Sequence, residues 1–479
     1  IIICAMRKQK SEQSIKSMTA SRTTTATTPP PGRDLDVVIY GATGFTGRLI
    51  AEYFARLFCF PQRGRDGGGG HNHPVRWAVA GRSDVKLSDL KRELHLISGA
   101  DAENSYPLVV VASDYESMLS MASRTSVVLS AAGPYLSPHG LDLVGACVEW
   151  GTDYVDVTGE TPFVRKSMDM YHRRAEQTGS FIVHMCGFDS VPSDLGTWHA
   201  VRKWRERHGT AGPERVRAYV SMRGKLSGGT LASGIFMDEH PETAAQLRDP
   251  FLLGGAPLGG PRPEDSDCAQ AESFAGGMAW TAPFEMAKLN TRVVRRSASE
   301  LGYSGSLTAP FTYSEQMLVP DEHTARKLAR PPAPVEKRRA LRDAGRLPKP
   351  GEGPTKEERR KGWFRFVYVA EGPINGDGKR KRLVTTVSGG EPGYTETAKM
   401  VSEAALTLAK NRDETIAIQA GLGGGVLTTA WLGDAFLRRL VEAGIRVSTE
   451  EANAGHIEES SEVIVVKVMV GEKSIDSKL

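Results

Sequence analysis

Short apolar runs recur at regular intervals through the first part of the chain. They lie at 36–40, 75–80, 106–111, 127–132, 154–157 and 181–185. The runs are continuous rather than alternating, which is typical of parallel strands with both faces of the sheet covered. Amphipathic segments at 49–58, 113–124 and 141–150 predict the covering helices. Since crossovers between parallel strands are right-handed, the pattern predicts an α/β fold with a Rossmann-type doubly wound parallel sheet over 34–191.

After residue 191 the regular alternation of apolar runs and amphipathic segments ends, and the sequence predicts a β-hairpin further along the chain. Strands at 363–371 and 382–388 are joined by the turn Asn375-Gly376-Asp377-Gly378, and a further strand is predicted at 216–222. A helix is predicted at 395–410. Residues 192–420 are therefore predicted to form a second α/β (α+β) domain that serves substrate binding or dimerisation.

Loops and tails are predicted from local composition. Residues 250–270 and 328–360 are rich in proline, glycine and charge, so we expect long loops or disorder there. Four consecutive glycines mark 60–74 as a flexible insertion, and residues 1–33 read as a disordered N-terminal extension. Residues 421–479 are predicted to form a C-terminal helix at 427–443, a strand at 461–470 and a polar tail.

Composition excludes several classes of protein. The 61 basic and 57 acidic residues give a net charge of +4, which does not favour nucleic acid. The five cysteines form no Cys-x-x-Cys pair, so no metal site is expected, and Cys147 and Cys186 are predicted to be buried free thiols. No apolar run is long enough to span a membrane. Contact of 417–436 with a membrane surface stays an alternative to a buried helix start.

The apolar run at 36–40 leads into a glycine turn and then a helix. The turn consists of Gly41, Ala42, Thr43, Gly44, Phe45, Thr46 and Gly47. Glycines at this spacing allow backbone N–H groups to approach a pyrophosphate, and the following helix directs its positive end at it. A strand before the turn and a helix after it are the context that dinucleotide binding requires. We therefore predict cofactor binding by Gly41, Thr43, Gly44, Phe45, Thr46 and Gly47.

The second strand ends in Arg82 and Ser83, with Lys86 one turn further on. Sites for NAD place an acidic residue at this position to hold the ribose hydroxyls, whereas a 2′-phosphate requires cations. The sequence therefore favours NADP, and the nearby Asp84 keeps NAD as an alternative. The alternative is that Arg82 is a solvent-facing arginine after a strand, with no role in binding.

The fourth strand ends in small residues that would allow the nicotinamide half of the cofactor to lie close to the backbone. We include Ala131, Ala132 and Gly133 among the cofactor-binding residues. Hydride transfer often needs a proton donor as well. The candidate catalytic residues are Tyr135, His139 and Asp189, because all three follow strands that end at this edge. Each also has a structural interpretation: loop packing, a surface position and helix capping, respectively.

Several motifs taken together resemble the saccharopine dehydrogenase-like oxidoreductases, which are related to trans-acting enoyl reductases. The resemblance covers about residues 36–450 and is carried by the glycine turn, 80–83, 132–135, 154–160 and 186–194. It implies a nucleotide-binding Rossmann domain, a second α/β domain and NAD(P)-dependent hydride transfer to or from a C=C or C=N bond. The substrate would be a small molecule or an acyl chain. A homodimer is a possible assembly. The alternative is an NADP-binding sensor or scaffold without turnover.

The ends of the chain carry addressing signals. Ser477-Lys478-Leu479 matches a peroxisomal import tripeptide, so we expect an import receptor as partner and a peroxisomal location, or that of a specialised peroxisome such as a glycosome. A peroxisomal setting would favour lipid metabolism. The basic, Ser/Thr-rich residues 1–33 keep a mitochondrial location open. Lipid-droplet or membrane association are the remaining alternatives.

Overall fold

The first sheet has seven parallel strands. A computed structural model describes residues 32–58, 75–98, 107–209, 211–304, 311–376 and 378–451, together with residues 465, 466 and 469. The strand order is β13-β6-β5-β4-β1-β2-β3, so the order reverses between β1 and β4. The strands are β1 Leu35–Tyr40, β2 Trp77–Gly81, β3 Leu108–Val111, β4 Thr125–Ser130, β5 Asp153–Asp156, β6 Phe181–Val183 and β13 Gly425–Leu427. This arrangement confirms the predicted doubly wound sheet.

Helices connect these strands and cover both faces of the sheet. They are α1 Phe45–Phe58, α2 Asp84–Ser98, α3 Tyr115–Ser123, α4 Pro138–Glu149, α5 Thr161–Thr178 and α6 Val191–His208. The apolar positions of α1 behave as its periodicity predicts, since Ile50 and Phe54 are buried. Cys147 and Cys186 are buried free thiols, as expected.

The second sheet is mixed and also has seven strands. Its order is β14-β12-β11-β7-β10-β9-β8, with β7 and β10 parallel and the other neighbouring pairs antiparallel. The strands are β7 Arg215–Arg223, β8 Glu272–Phe274, β9 Ala279–Pro283, β10 Thr312–Val319, β11 Trp363–Ile374, β12 Arg380–Gly389 and β14 Arg446–Glu451. The hairpin of β11 and β12 confirms the pairing that the turn near Asn375 predicts.

Nine further helices are described between β7 and the end of the second sheet. They are α7 Gly228–Asp238, α8 Pro241–Leu247, α9 Ala287–Glu300, α10 Glu322–Leu328, α11 Val335–Asp343, α12 Lys356–Arg360, α13 Thr397–Lys410, α14 Ile416–Gln419 and α15 Gly433–Glu442. The interval 328–360, expected to be long loop or disorder, contains α11 and α12. Charged residues dominate both helices, so a composition rule for loops could not distinguish them from exposed helices.

The two sheets share elements that are remote in sequence. Helix α13 packs beside α1 on the first sheet, and β13 extends that sheet next to β6. Helix α6 packs against β11 and β12 of the second sheet. One hydrophobic cluster includes Ile39 of β1, Leu406 of α13 and Phe366 of β11, so it extends over both sheets. The described residues after Arg33 accordingly form a single compact unit. The domain boundaries at 191 and 420 stay predictions.

Two predictions near the C-terminal end are wrong in detail. The helix expected at 427–443 begins only at Gly433, because Leu427 ends β13 and residues Thr429–Leu432 form a 3-10 turn. In place of the strand expected at 461–470, Val465, Val466 and Met469 are helical. The two valines are buried against apolar residues of the second sheet. Short apolar runs do not distinguish a strand from a helix by periodicity alone.

Several predictions lie outside the described residues. These are the N-terminal extension up to residue 31, the whole insertion at 60–74 and the terminal tripeptide Ser477-Lys478-Leu479. Among the helices that are described, none combines the length and apolar character that crossing a bilayer requires.

Candidate functional site

The candidate site lies where strands of the first sheet end on either side of the switch point. In open parallel sheets, ligands bind at the carboxyl ends of the strands where the strand order reverses. The loops after β1 and β4 meet at this edge: Ala131 N–H donates to the Tyr40 carbonyl over 2.8 Å. A Cβ built on Gly41 would lie 2.9 Å from Ala132 Cβ. The structure thus brings the predicted glycine turn and the predicted small-residue loop together.

The three glycines of the turn have different physical roles. Gly41 has a φ of +80°, and the Gly44 N–H donates to its carbonyl over 3.0 Å. A Cβ built on Gly47 would lie 2.2 Å from the Gly41 carbonyl oxygen, so Gly47 allows α1 to pack closely against the turn. Gly44 differs, because its built Cβ would contact only that same oxygen, at 3.4 Å. The space in front of Gly44 is open, which fits a pyrophosphate held by backbone N–H groups.

The end of β2 contributes unpaired positive charge. Arg82 and Lys86 are exposed, and neither forms an ion pair within the part of the chain that is described. Ser83 is partly buried and its hydroxyl accepts a long hydrogen bond from the Lys86 N–H, at 3.5 Å. Because β2 neighbours β1, these cations lie beside the glycine turn. The donor set fits a cofactor with a 2′-phosphate.

Tyr135 and His139 are poorly placed as proton donors. Tyr135 is buried, and its hydroxyl already donates to the Ser130 carbonyl over 3.1 Å. Burial raises the pKa of Tyr135 well above its usual value, and the charge of Asp156 adds to this shift. His139 is exposed in the first turn of α4. The geometry favours the loop-packing and surface interpretations for these two residues.

Asp189 differs from the other two candidates. It is partly buried, and its carboxyl makes no hydrogen bond with any residue that the structure describes. Helix capping, the alternative role of Asp189, is absent from the described contacts, since Ser190 occupies the N-cap position of α6. Burial and then the charge of Asp156 raise the pKa of Asp189 to about 7. A Cβ built on Gly159 would lie 3.6 Å from Asp189 Oδ2, so the carboxyl faces the loop after β5.

A buried carboxylate shapes the loop that follows β4. Glu160 accepts hydrogen bonds from the Tyr135 N–H over 3.1 Å and the Leu136 N–H over 2.7 Å. Burial raises the pKa of Glu160, and hydrogen bonds from Leu136, Ser233 and Tyr135 oppose that shift. Ser233 belongs to α7, so the second region of the chain also reaches this loop.

Tyr394 and Thr397 attach a second remote segment to the site. Thr397 Oγ1 accepts from the Phe188 N–H and donates to the Pro392 carbonyl, both over 3.0 Å. The ring of Tyr394 lies edge-on to Phe45 of the glycine turn, with centroids 5.2 Å apart. Sequence reasoning missed both roles. The short motif Gly393-Tyr394-Thr395 is a signal that could have pointed to Tyr394.

The structure also assembles a Ser–His–Asp chain that sequence reasoning did not find. The two ring nitrogens of His184 lie 2.7 Å from Asp156 Oδ2 and 2.9 Å from Ser167 Oγ. All three residues are buried, with at most 3% of any of them exposed, so no substrate reaches the serine. Asp156 Oδ1 also accepts from the Met185 N–H over 2.9 Å. These hydrogen bonds therefore hold the ends of β5 and β6 in place.

Among the residues that the structure describes, no group of three or more His, Cys, Asp or Glu side chains could hold a metal ion. The candidate site combines a glycine turn, nearby cations and one unpaired carboxyl. Such a set suits hydride transfer with a nicotinamide cofactor, where the protein supplies binding, orientation and a proton.

Comparison with known proteins agrees with this geometry. Residues 37–183 match the family model of the saccharopine dehydrogenase NADP binding domain. A Mycobacterium tuberculosis protein, provisionally named a trans-acting enoyl reductase, is 36% identical over 441 residues, which cover 87% of this chain and 98% of that protein. The trans-acting enoyl reductase of Mycobacterium leprae is 33% identical over 451 residues, which cover 88% of this chain and 99% of that protein.

A solved structure is similar at a lower level. Saccharopine dehydrogenase (L-Glu forming) from Saccharomyces cerevisiae aligns with a TM-score of 0.46 and 11% identity, over 87% of this chain and all of that one. The sequence relatives span nearly the whole chain, and the resemblance seen in the motifs is confirmed. The chain therefore belongs to the saccharopine dehydrogenase-like oxidoreductases that include the trans-acting enoyl reductases, and it is an NADP-dependent oxidoreductase.

Proposed function

We propose that the protein reduces the C=C bond of an α,β-unsaturated acyl substrate with NADPH. The names of the mycobacterial relatives, similar over nearly their whole length, support this substrate class. The observation that carries the proposal is the unpaired Asp189 carboxyl, whose pKa is raised to about 7. A carboxylic acid that stays protonated near neutral pH can supply the proton that reduction of a polarised double bond consumes.

The reaction needs one hydride and one proton. The glycine turn and Arg82 would hold NADPH, which when bound would supply the hydride and be oxidised to NADP⁺. The proton would go to the neighbouring carbon, and the Asp189 carboxyl, which faces the loop after β5, supports the assignment of Asp189 as its donor. The ionised Asp189 would then recover a proton from solvent, to which it is partly exposed.

Reduction of a C=N bond is the competing chemistry, and a role in peroxisomal lipid metabolism stays a prediction. Purified protein should be assayed for NADPH oxidation with enoyl thioesters, with matched saturated thioesters as controls, and with an imine-forming mixture of keto acid and amine. We expect turnover only with the unsaturated thioesters, and product mass should show two added hydrogens. Turnover confined to the imine mixture would replace the C=C assignment. NADPH binding without turnover over the whole panel would favour a sensor.

Arg82 should determine which nicotinamide cofactor is preferred. We expect Arg82→Ala to weaken NADPH binding by about 10- to 100-fold while changing NADH binding little, because a charge-assisted contact to phosphate is lost. Calorimetry with both cofactors measures this. Arg92→Ala, which removes an exposed arginine from α2, the helix that follows Arg82, is the matched control. Equal losses for the two cofactors would show that Arg82 does not bind the 2′-phosphate.

A further inference from the structure

A cation from the second region of the chain lies against the glycine turn. Phe45 is the first residue of α1 and directly follows Gly44. The guanidinium carbon of Arg359, at the end of α12, lies 5.6 Å from the centre of the Phe45 ring. We propose that Arg359 binds the pyrophosphate of NADP, so that the nucleotide connects the two regions of the chain.

The charge of Arg359 is not neutralised by the acidic residues of its own helix. Glu358 accepts from Lys225 Nζ over 2.6 Å, and its other oxygen accepts from the Thr355 N–H over 2.9 Å. Glu357 accepts from Lys361 Nζ over 2.8 Å. Arg359 itself donates to the Pro354 carbonyl over 2.6 Å and forms no ion pair within the described ranges. Because a guanidinium carries several N–H donors in one plane, most of them stay available for an anion.

The backbone around Arg359 is fixed against the glycine turn rather than extended into solvent. A Cβ built on Gly353 would lie 2.5 Å from a carbon of the Phe45 ring, so glycine permits this close approach. The Gly228 N–H, at the start of α7, donates to the Glu352 carbonyl over 3.0 Å. Arg359 is partly buried in this position. A cation that is already positioned loses less side-chain entropy when it binds a ligand.

The position of Arg359 indicates the pyrophosphate rather than the 2′-phosphate. Arg359 contacts the turn after β1, and such a turn holds the pyrophosphate at the helix N-terminus. The 2′-phosphate belongs near the end of β2, where Arg82 lies. Arg359 should therefore contribute equally to NADPH and NADH binding. This inference requires cofactor binding only, and it does not depend on the proposed C=C chemistry.

Equilibrium binding of NADPH and NADH to the full chain, without any substrate, tests the assignment. We expect Arg359→Ala to weaken binding of both cofactors by the same factor, about 10- to 100-fold. Arg359→Lys should retain part of the affinity, because it keeps the charge but loses the planar fork. The affinity of Arg359→Ala should also depend less on salt. Arg360→Ala, the exposed neighbour, is the matched control and should bind as wild type does.

Two results would overturn the proposal. One is wild-type affinity in a folded Arg359→Ala, which would leave Arg359 as a structural contact of Phe45. The other is a loss confined to NADPH, which would assign Arg359 to the 2′-phosphate. Thermal unfolding without cofactor separates stability from binding. If Arg359→Ala does not fold, a several-fold loss for both cofactors in folded Arg359→Lys supports the proposal, and unchanged binding there refutes it. Failure of the enoyl assay would leave these binding results unaffected.

Discussion

Replacing Asp189 with asparagine should lower kcat by about 100- to 10,000-fold, the usual contribution of a general acid. Asparagine has nearly the same shape but has no acidic proton to donate. The Asp189 carboxyl makes no hydrogen bond with a described residue, so the fold should tolerate the change. Steady-state kinetics with the substrate found in the thioester panel measures the effect. NADPH affinity should stay within about two-fold of wild type, because the change affects the proton and not the nucleotide.

The pH profile distinguishes a proton donor from a structural residue. With the pKa of Asp189 raised to about 7, the acid is protonated below that pH, so the wild-type kcat should fall as pH rises through about 7. The residual rate of Asp189→Asn should not follow this profile. Asp413→Asn is the control, because Asp413 is exposed beside Arg412, which contacts Asp153 at the start of β5, far from the site. A wild-type rate in Asp189→Asn would remove this residue from the mechanism.

The same substitution should change stability with a predictable sign. A carboxyl whose pKa is raised in the folded state contributes stability at low pH, and this contribution is lost as pH rises from the ordinary pKa of 3.8 through about 7. Asp189→Asn should therefore be at least as stable as wild type above pH 7, and its stability should vary less between these limits. A marked loss of stability above neutral pH would instead indicate a structural role for the carboxylate.

Gly44→Val should abolish most cofactor binding while leaving the fold intact. The branched side chain would enter the open space in front of the turn, where the pyrophosphate is expected. We expect affinity for NADPH to fall by about 100-fold or more, since at least two charge-assisted bonds of roughly 1.5 kcal/mol each would be lost. Calorimetry with NADPH measures the loss, and thermal unfolding of the free protein measures its stability.

Gly47→Ala provides the contrasting substitution in the same turn. Its Cβ would lie 2.2 Å from the Gly41 carbonyl oxygen, so the free protein itself should be destabilised. Gly376→Val, in the open hairpin loop between β11 and β12, should change neither property, because nothing lies within 4 Å of a Cβ built there. NADPH affinity that survives in folded Gly44→Val would refute the phosphate-binding assignment.

Local patterns in the sequence were sufficient for strands β1 to β6 of the first sheet and for its nucleotide turn. The strands of this sheet are continuous apolar runs, and each ends in a short loop of glycine or polar residues. Hydrogen bonds within the turn, such as Gly44 N–H to the Gly41 carbonyl, join residues that are near in sequence. The motif and its context could therefore be recognised without tertiary contacts. The same holds for the hairpin of β11 and β12.

Elements whose partners are far away in the chain were beyond such reasoning. Strand β13 is three residues long and becomes a strand only by pairing with β6. The helical position of Val465 and Val466 depends on the apolar surface of the second sheet. In both cases the local sequence permits more than one structure, and burial against a remote surface selects one.

The amino-acid sequence by itself determined strands β1 to β6 of the Rossmann sheet, the glycine turn and the preference for NADP. The reason is that each depends on the type and spacing of residues that are close together in the sequence. Only the tertiary structure decided which candidate donor stays available. Tyr135 and Asp189 both follow strands at the same edge, but folding engages the Tyr135 hydroxyl with the Ser130 carbonyl and leaves the Asp189 carboxyl without a described partner. The approach of Arg359 to Phe45 was likewise decided by folding, since burial and pKa depend on which remote residues surround a group.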